Sequence, residues 1–101
     1  MSRIKVAIFI FPGVEVLDFA GPYEVFTTAS RVHARMHPAA PQPFEVFTIA
    51  QDAQPIKAQA GLAVLADYTS ATHPPIDLLI VAGGVVTEEL NKPAIITWLA
   101  A

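Results

Sequence analysis

The stretch from Ile4 to Phe26, IKVAIFIFPGVEVLDFAGPYEVF, constrains the chain most. Ile4 to Phe11 is a near-continuous apolar run, broken only by Lys5. A segment apolar on every side is the signature of a strand buried on both faces, as in a parallel sheet. The run breaks at Pro12-Gly13, presents two acids, Glu15 and Asp18, and resumes behind Gly21-Pro22. Gly21 suits a helix cap, and Pro22 suits a first helical turn, where its missing N–H has no partner to lose. A helix is therefore expected from Pro22 to about Met36, burying Val25, Ala29, Val32 and Met36, with Arg31 and Arg35 off that stripe. The loop between strand and helix falls at a strand's carboxyl end, where open α/β sheets place their ligands.

The remaining chain extends this pattern. HPAAPQP, residues 37–43, is a loop, because three prolines in seven residues cannot continue a helix. Phe44 to Ala50 reads as a second strand. Pro55–Gln59 and Leu62–Ala66, around Ala60-Gly61, read as a hairpin. Asp67 to Pro75 reads as a loop, and Ile76 to Ala82 as another doubly buried strand running into Gly83-Gly84. Thr87, with Glu88 and Glu89, suits the start of a short turn, and a last helix opens near Pro93 with Ile95 and Leu99 on one face. It ends without glycine, basic residue or polar cap, as a helix cut in mid-run does. Strand, helix, strand, hairpin, strand, helix implies an α/β domain with a mostly parallel sheet. Such sheets carry further strands and helices, so the expectation is an incomplete domain.

Composition supports the same conclusion. A chain of 101 residues that is 53% hydrophobic and 15% charged has more apolar surface than a domain this small can bury alone. The excess predicts contact with more protein, either the rest of a longer domain or an oligomer interface, and a chain that does not stay monomeric. No apolar run reaches the roughly 20 residues that span a bilayer. The absence of a cleavage site after the first strand argues against a signal peptide and favours the cytoplasm. Net charge is −3 with six scattered basic residues, which gives nucleic acid no basic stripe to bind. Cysteine is absent, excluding disulfides and thiolate metal sites within these residues. His33 and His37 share a helix face but have no third ligand, so helix-end histidines are the simpler reading and no metal or cofactor is expected.

Chemistry is confined to the two loops at strand carboxyl ends. The first supplies Asp18, with Glu15 as a solvated loop acid. The second supplies Gly83 and Gly84, whose main chain can approach a ligand and direct N–H groups at developing negative charge. An acid beside such a turn is half of a nucleophilic site, and no G-x-S-x-G or cysteine completes it here. Asp18 could equally fasten its own loop by bonding nearby N–H groups.

FPGVEVLDFAGPYEVF, then IKAQAGLAVLAD and IDLLIVAGG, resembles the ThiJ/PfpI superfamily, relatives of the class I glutamine amidotransferases. The LDFAGPYEVF wording is most similar to its isonitrile hydratase-like branch. The resemblance implies a flavodoxin-like three-layer sandwich, usually dimeric, of which residues 1–101 are the N-terminal part of a single domain. It implies that Asp18 matches the acid that contacts the family's catalytic cysteine, and that Gly83-Gly84 match the turn beside it. That cysteine would follow one further strand, beyond Ala101. Ala82 stands where the family has proline, and Val85-Val86 where it has small or polar residues. The implied activity is hydration of a small electrophile, an isonitrile, to an N-substituted formamide. The alternatives are the ligand-sensing domain of an AraC-type transcription regulator and a hydrolase or deglycase of the wider superfamily.

Overall fold

The structure, a computed structural model, describes residues 3–84 and 93–100. The expected turn at Thr87, Glu88 and Glu89, and Val85-Val86, lie outside the described residues. In chain order the elements are β1 (Ile4–Phe9), α1 (Val16–Met36), β2 (Phe44–Ala50), β3 (Ile56–Lys57), β4 (Ala63–Val64), β5 (Tyr68–Thr69), β6 (Leu78–Val81) and α2 (Pro93–Ala100). The four-stranded sheet runs β5-β2-β1-β6 with every pair parallel, and β3 and β4 form the separate antiparallel hairpin expected around Gly61.

β1 lies between β2 and β6 and is walled in on both faces. Val6, Ala7, Ile8 and Ile10 are wholly inaccessible, and Phe9 and Phe11 nearly so. Full burial of each large side chain contributes roughly 1.5–3 kcal/mol, so this one run carries much of the driving force for assembly. Alternation along β2 assigns the layers. Phe44 meets Phe26 and Ser30 of α1, and Thr48 lines a groove with Phe19 and Ala20, so α1 covers the face of even-numbered β2 residues. Phe9 is in register with Ile49 on the opposite face, and there it meets Trp98 of α2 at 5.4 Å between ring centroids. Helices thus cover both faces, giving the three layers of a flavodoxin-like α/β sandwich.

Three expectations are corrected. First, α1 begins at Val16, not Pro22, and Gly21 and Pro22 lie inside it. Proline normally drives the preceding residue out of helical geometry because its ring meets that residue's Cβ. Gly21 has no Cβ, so the helix passes through. Its true start is set by Val14 and Phe19, buried on either side of an extended Glu15 N-cap. That is the spacing of a hydrophobic staple. Second, α1 packs through Phe19, Phe26, Ser30 and the half-buried His33. The expected stripe faces outward instead: Val25 is 64% exposed, Val32 47% and Met36 69%, and Ala29 is exposed as well. Third, the expected loop 67–75 contains β5, two residues that add to the carboxyl half of β2.

Polar clasps set the registers. Ser30 Oγ accepts from the Phe44 amide (3.1 Å) and lies 3.2 Å from its carbonyl, locking α1 to the first residue of β2. Asp77 accepts from the Lys5 amide through Oδ2 (2.8 Å), and its own N–H donates to the Lys5 carbonyl (2.9 Å), which fixes β6 on β1. Asp67 binds the Thr48 amide and hydroxyl in the same way. Trp98 Nε1 donates to His73 Nε2 (3.2 Å), tying α2 to the loop before β6.

Ser30 is 3% exposed, so replacing it by alanine strands the Phe44 amide and carbonyl at the helix–sheet seam. Ser30→Ala should lower stability by about 1–3 kcal/mol, read as a lower urea midpoint with unchanged slope.

Candidate functional site

The chain leaves β1 through α1 to reach β2 on one side and returns to place β6 on the other. The order therefore reverses between β1 and β6, and the crevice at their carboxyl ends is the topological switch point where such sheets bind ligands. Residues 12–18 form one wall of it and Gly83-Gly84 the other.

Main-chain bonds hold these walls together. The Glu15 amide donates to the Gly83 carbonyl (2.9 Å), and Val14 forms an antiparallel bridge with Gly84. The hairpin grips the first wall from behind: Gly13 N–H donates to the Lys57 carbonyl (2.8 Å) and Gln59 N–H to the Val14 carbonyl (2.9 Å). Gly13 itself takes a φ of 88°, a left-handed value that favours glycine. The approach at Gly84 is closer still. Its φ is 150°, and a Cβ there would lie 2.5 Å from the Gly13 carbonyl oxygen and 2.8 Å from Val14 Cα.

Asp18 occupies the first turn of α1, where the helix dipole favours an acid. Pro22 has no N–H to offer the Asp18 carbonyl, so this turn is anchored largely by the loop, through the Asp18 N–H donating to the Glu15 carbonyl (3.1 Å). Its carboxyl lies directly over Gly83: a Cβ on that glycine would collide with Oδ2, with Cγ 3.6 Å from the same point. The structure thus brings together Asp18, Gly83 and Gly84. All three are exposed, as is Glu15.

Gly83 spends its carbonyl on Glu15, while among the described residues neither glycine's N–H donates to a protein acceptor. What the sequence did not disclose is the part of the hairpin, whose Lys57 and Gln59 main chain clamps the acid-bearing loop.

Other concavities are present among the described residues, one of them about 350 Å³ between Tyr23, Phe47 and Tyr68. Another of about 190 Å³ lies on the other side of β1, at the carboxyl end of β2, against Phe11, Gln51 and Asp52. A groove of about 300 Å³ runs beside α1. None of these lies at the switch point between β1 and β6, so the β1–β6 crevice is the candidate site. Among the described residues no cluster of three or more His, Asp or Glu could hold a metal ion, and no helix is long and apolar enough to cross a membrane.

Residues 4–100 match the sequence model of the DJ-1/PfpI family. An uncharacterized protein in the cpoL 5′ region of Streptomyces lividans is 30% identical over 80 residues, which cover 79% of this chain and 51% of that one. A ThiJ/PfpI family protein from Pseudomonas syringae superposes with a TM-score of 0.77 at 20% identity, covering 99% of this chain and 38% of that one. An AraC family transcriptional regulator from Pseudomonas putida superposes at 0.61 and 19% identity, covering 95% and 61%. The chain thus spans about half the length of the curated relative it matches.

The two glycines should respond differently to alanine. At Gly84 the obstruction is backbone and the φ is unfavourable, so Gly84→Ala should cost about 2 kcal/mol or more. At Gly83 only a side chain stands in the way. Gly83→Ala should displace the Asp18 carboxyl at less than half that cost, compared by urea denaturation of the two variants.

Proposed function

Because the chain belongs to the DJ-1/PfpI family, we propose that Asp18 and the Gly83-Gly84 turn are the acid and amide half of a thiolate-based active site. In this reading the sulfur comes from polypeptide beyond these cysteine-free residues, and the substrate is a small electrophile, an isonitrile. The observation that carries it is the Asp18 carboxyl resting on Gly83 at the sheet's switch point, next to amides that donate to no acceptor among the described residues.

The chemistry asks little of these residues beyond position. The thiolate attacks the terminal carbon of R–N≡C, forming a C–S bond, while Asp18 relays a proton to that carbon and leaves a thioimidate. Water adds across the C=N bond, oxygen to carbon and hydrogen to nitrogen. Collapse breaks the C–S bond, releases thiolate and passes the hydroxyl proton to the Asp18 carboxylate. The sum is one water added to R–N≡C, giving R–NH–CHO. Amides at Gly83 and Gly84 would stabilise charge developing beside them.

A second reading has support of its own. The likeness to an AraC family regulator favours a ligand-sensing domain that uses the same crevice to bind without turnover. A hydrolase or deglycase would use the same acid and turn on a different electrophile. Each of these readings fits a cytoplasmic protein.

The test is the full-length protein with a small alkyl isonitrile, following formamide by chromatography. Asp18→Asn should lower kcat by about 100-fold or more while the circular dichroism spectrum is retained. Undiminished turnover would remove Asp18 from the mechanism. Saturable binding with no turnover, together with sequence-specific DNA binding, would establish the regulator instead.

A further inference from the structure

The ladder between β1 and β2 opens one rung early. Its last bond is the Ile10 N–H donating to the Ile49 carbonyl (2.8 Å). In a parallel pair, a residue that donates to its neighbour also turns its carbonyl toward that neighbour. With Phe9 in register with Ile49, the Ile10 carbonyl therefore faces the position where the Gln51 N–H would close the next rung. That rung is not formed. Among the described residues the Ile10 carbonyl accepts nothing and the Gln51 N–H donates to nothing. Ile10 is wholly inaccessible. A buried carbonyl without a donor is uncommon, because nothing replaces the water it has lost.

The two segments do not drift apart beyond this point. The Gly13 N–H donates to the Lys57 carbonyl (2.8 Å) and rejoins them. Ser70 steadies the β2 side, its N–H donating to the Ala50 carbonyl (2.8 Å) and its Oγ to the Gln51 carbonyl (3.2 Å). Between these bonds lies the cavity of about 190 Å³. Its floor is apolar, made by Ile10, Phe11, Ala50 and Ile56, all buried. Its rim carries the exposed Gln51, Asp52 and Gln54, and among the described residues no basic side chain lines it. Asp52 is held in place by accepting the Gln54 N–H through Oδ1 (3.0 Å), while its Oδ2 accepts nothing among the described residues. An apolar floor with a few fixed polar groups is the make-up of a small-molecule site.

The polar groups specify their complement. The Ile10 carbonyl requires a donor, the Gln51 N–H requires an acceptor, and Asp52 requires a second donor while repelling anions. A primary carboxamide carries two N–H donors and one carbonyl acceptor on a single planar group. We propose that the cavity between the ends of β1 and β2 binds a small neutral carboxamide, whose compact apolar body lies against Phe11 and Ile56. The site is separate from the Asp18–Gly83 crevice, so the inference stands whether or not Asp18 takes part in chemistry.

The experiment is a ligand-observed magnetic resonance titration of the full-length protein with benzamide, and in parallel with N,N-dimethylbenzamide and benzoate. Benzamide should saturate one site with a dissociation constant of about 1 mM, as suits so small a ligand. The dimethyl compound, which has no N–H, and the anionic benzoate should each bind about ten-fold more weakly or worse. Ala50→Val, which intrudes on the floor, should weaken benzamide by about ten-fold, with folding checked by circular dichroism. Asp52→Asn tests the rim without touching the core. Its side-chain oxygen can still hold the turn, and the preference for benzamide over benzoate should fall by about three-fold or more. Asp18→Asn should leave benzamide binding unchanged. No saturable binding, with the cavity holding water only, would overturn the proposal. So would equal affinity for the dimethyl compound, or indifference to both Ala50→Val and Asp52→Asn. Loss of binding in Asp18→Asn would place the amide in the crevice and overturn it as well.

Discussion

The structure depends on β1 being surrounded. A strand with no polar face has nowhere stable to sit except between two others and beneath two layers, and Val6–Phe11 obtain all of this. β2 and β6 must flank it in parallel, helices must cover each side, and its carboxyl end must emerge where the two directions of winding diverge. The position of the crevice is therefore a consequence of apolar burial. Asp18 reaches it because α1 follows that strand after a six-residue loop.

What the sequence disclosed, and what it did not, divides along physical lines. Strands built from apolar runs are legible because their pattern is composition itself. β1 is buried on both faces and β2 appears at its expected bounds. β6 falls within its expected span but lies at the edge of the described sheet with Leu78 and Val81 exposed, not doubly buried as expected. The hairpin is legible from Gly61. The inward face of α1 was not, since it carries Ser30 and His33 while valines and methionine lie outside, so counting apolar residues selects the wrong side. A clue lay in the polar clasp, since Ser30 is buried for its bonds to Phe44 rather than for any apolar character. The start of α1 was hidden by Gly21-Pro22, which resembles a beginning, although Val14 and Phe19 already had staple spacing. β5 is too short to leave a pattern.

The candidate site's geometry was legible in outline more than in detail. Asp18 and the glycine pair could be named from their place at strand ends. The close approach at Gly84, the turned carbonyl of Gly83 and the hairpin's grip on residues 13–14 are backbone facts with no side-chain signature. Family membership adds the class of protein, and proteins of similar fold include a transcriptional regulator beside other members of the family. The local arrangement, and not the fold, has to carry the function.

The link between Glu15 and Gly83 joins regions far apart in the polypeptide. β1, α1 and β2 form one contiguous crossover unit, whereas β6 reaches β1 across the longer segment that holds the hairpin and β5. Without β6 in place the carboxylate has no glycine beneath it. A nascent or half-assembled molecule thus lacks the crevice altogether, and the pairing of acid and glycine turn belongs only to the finished topology.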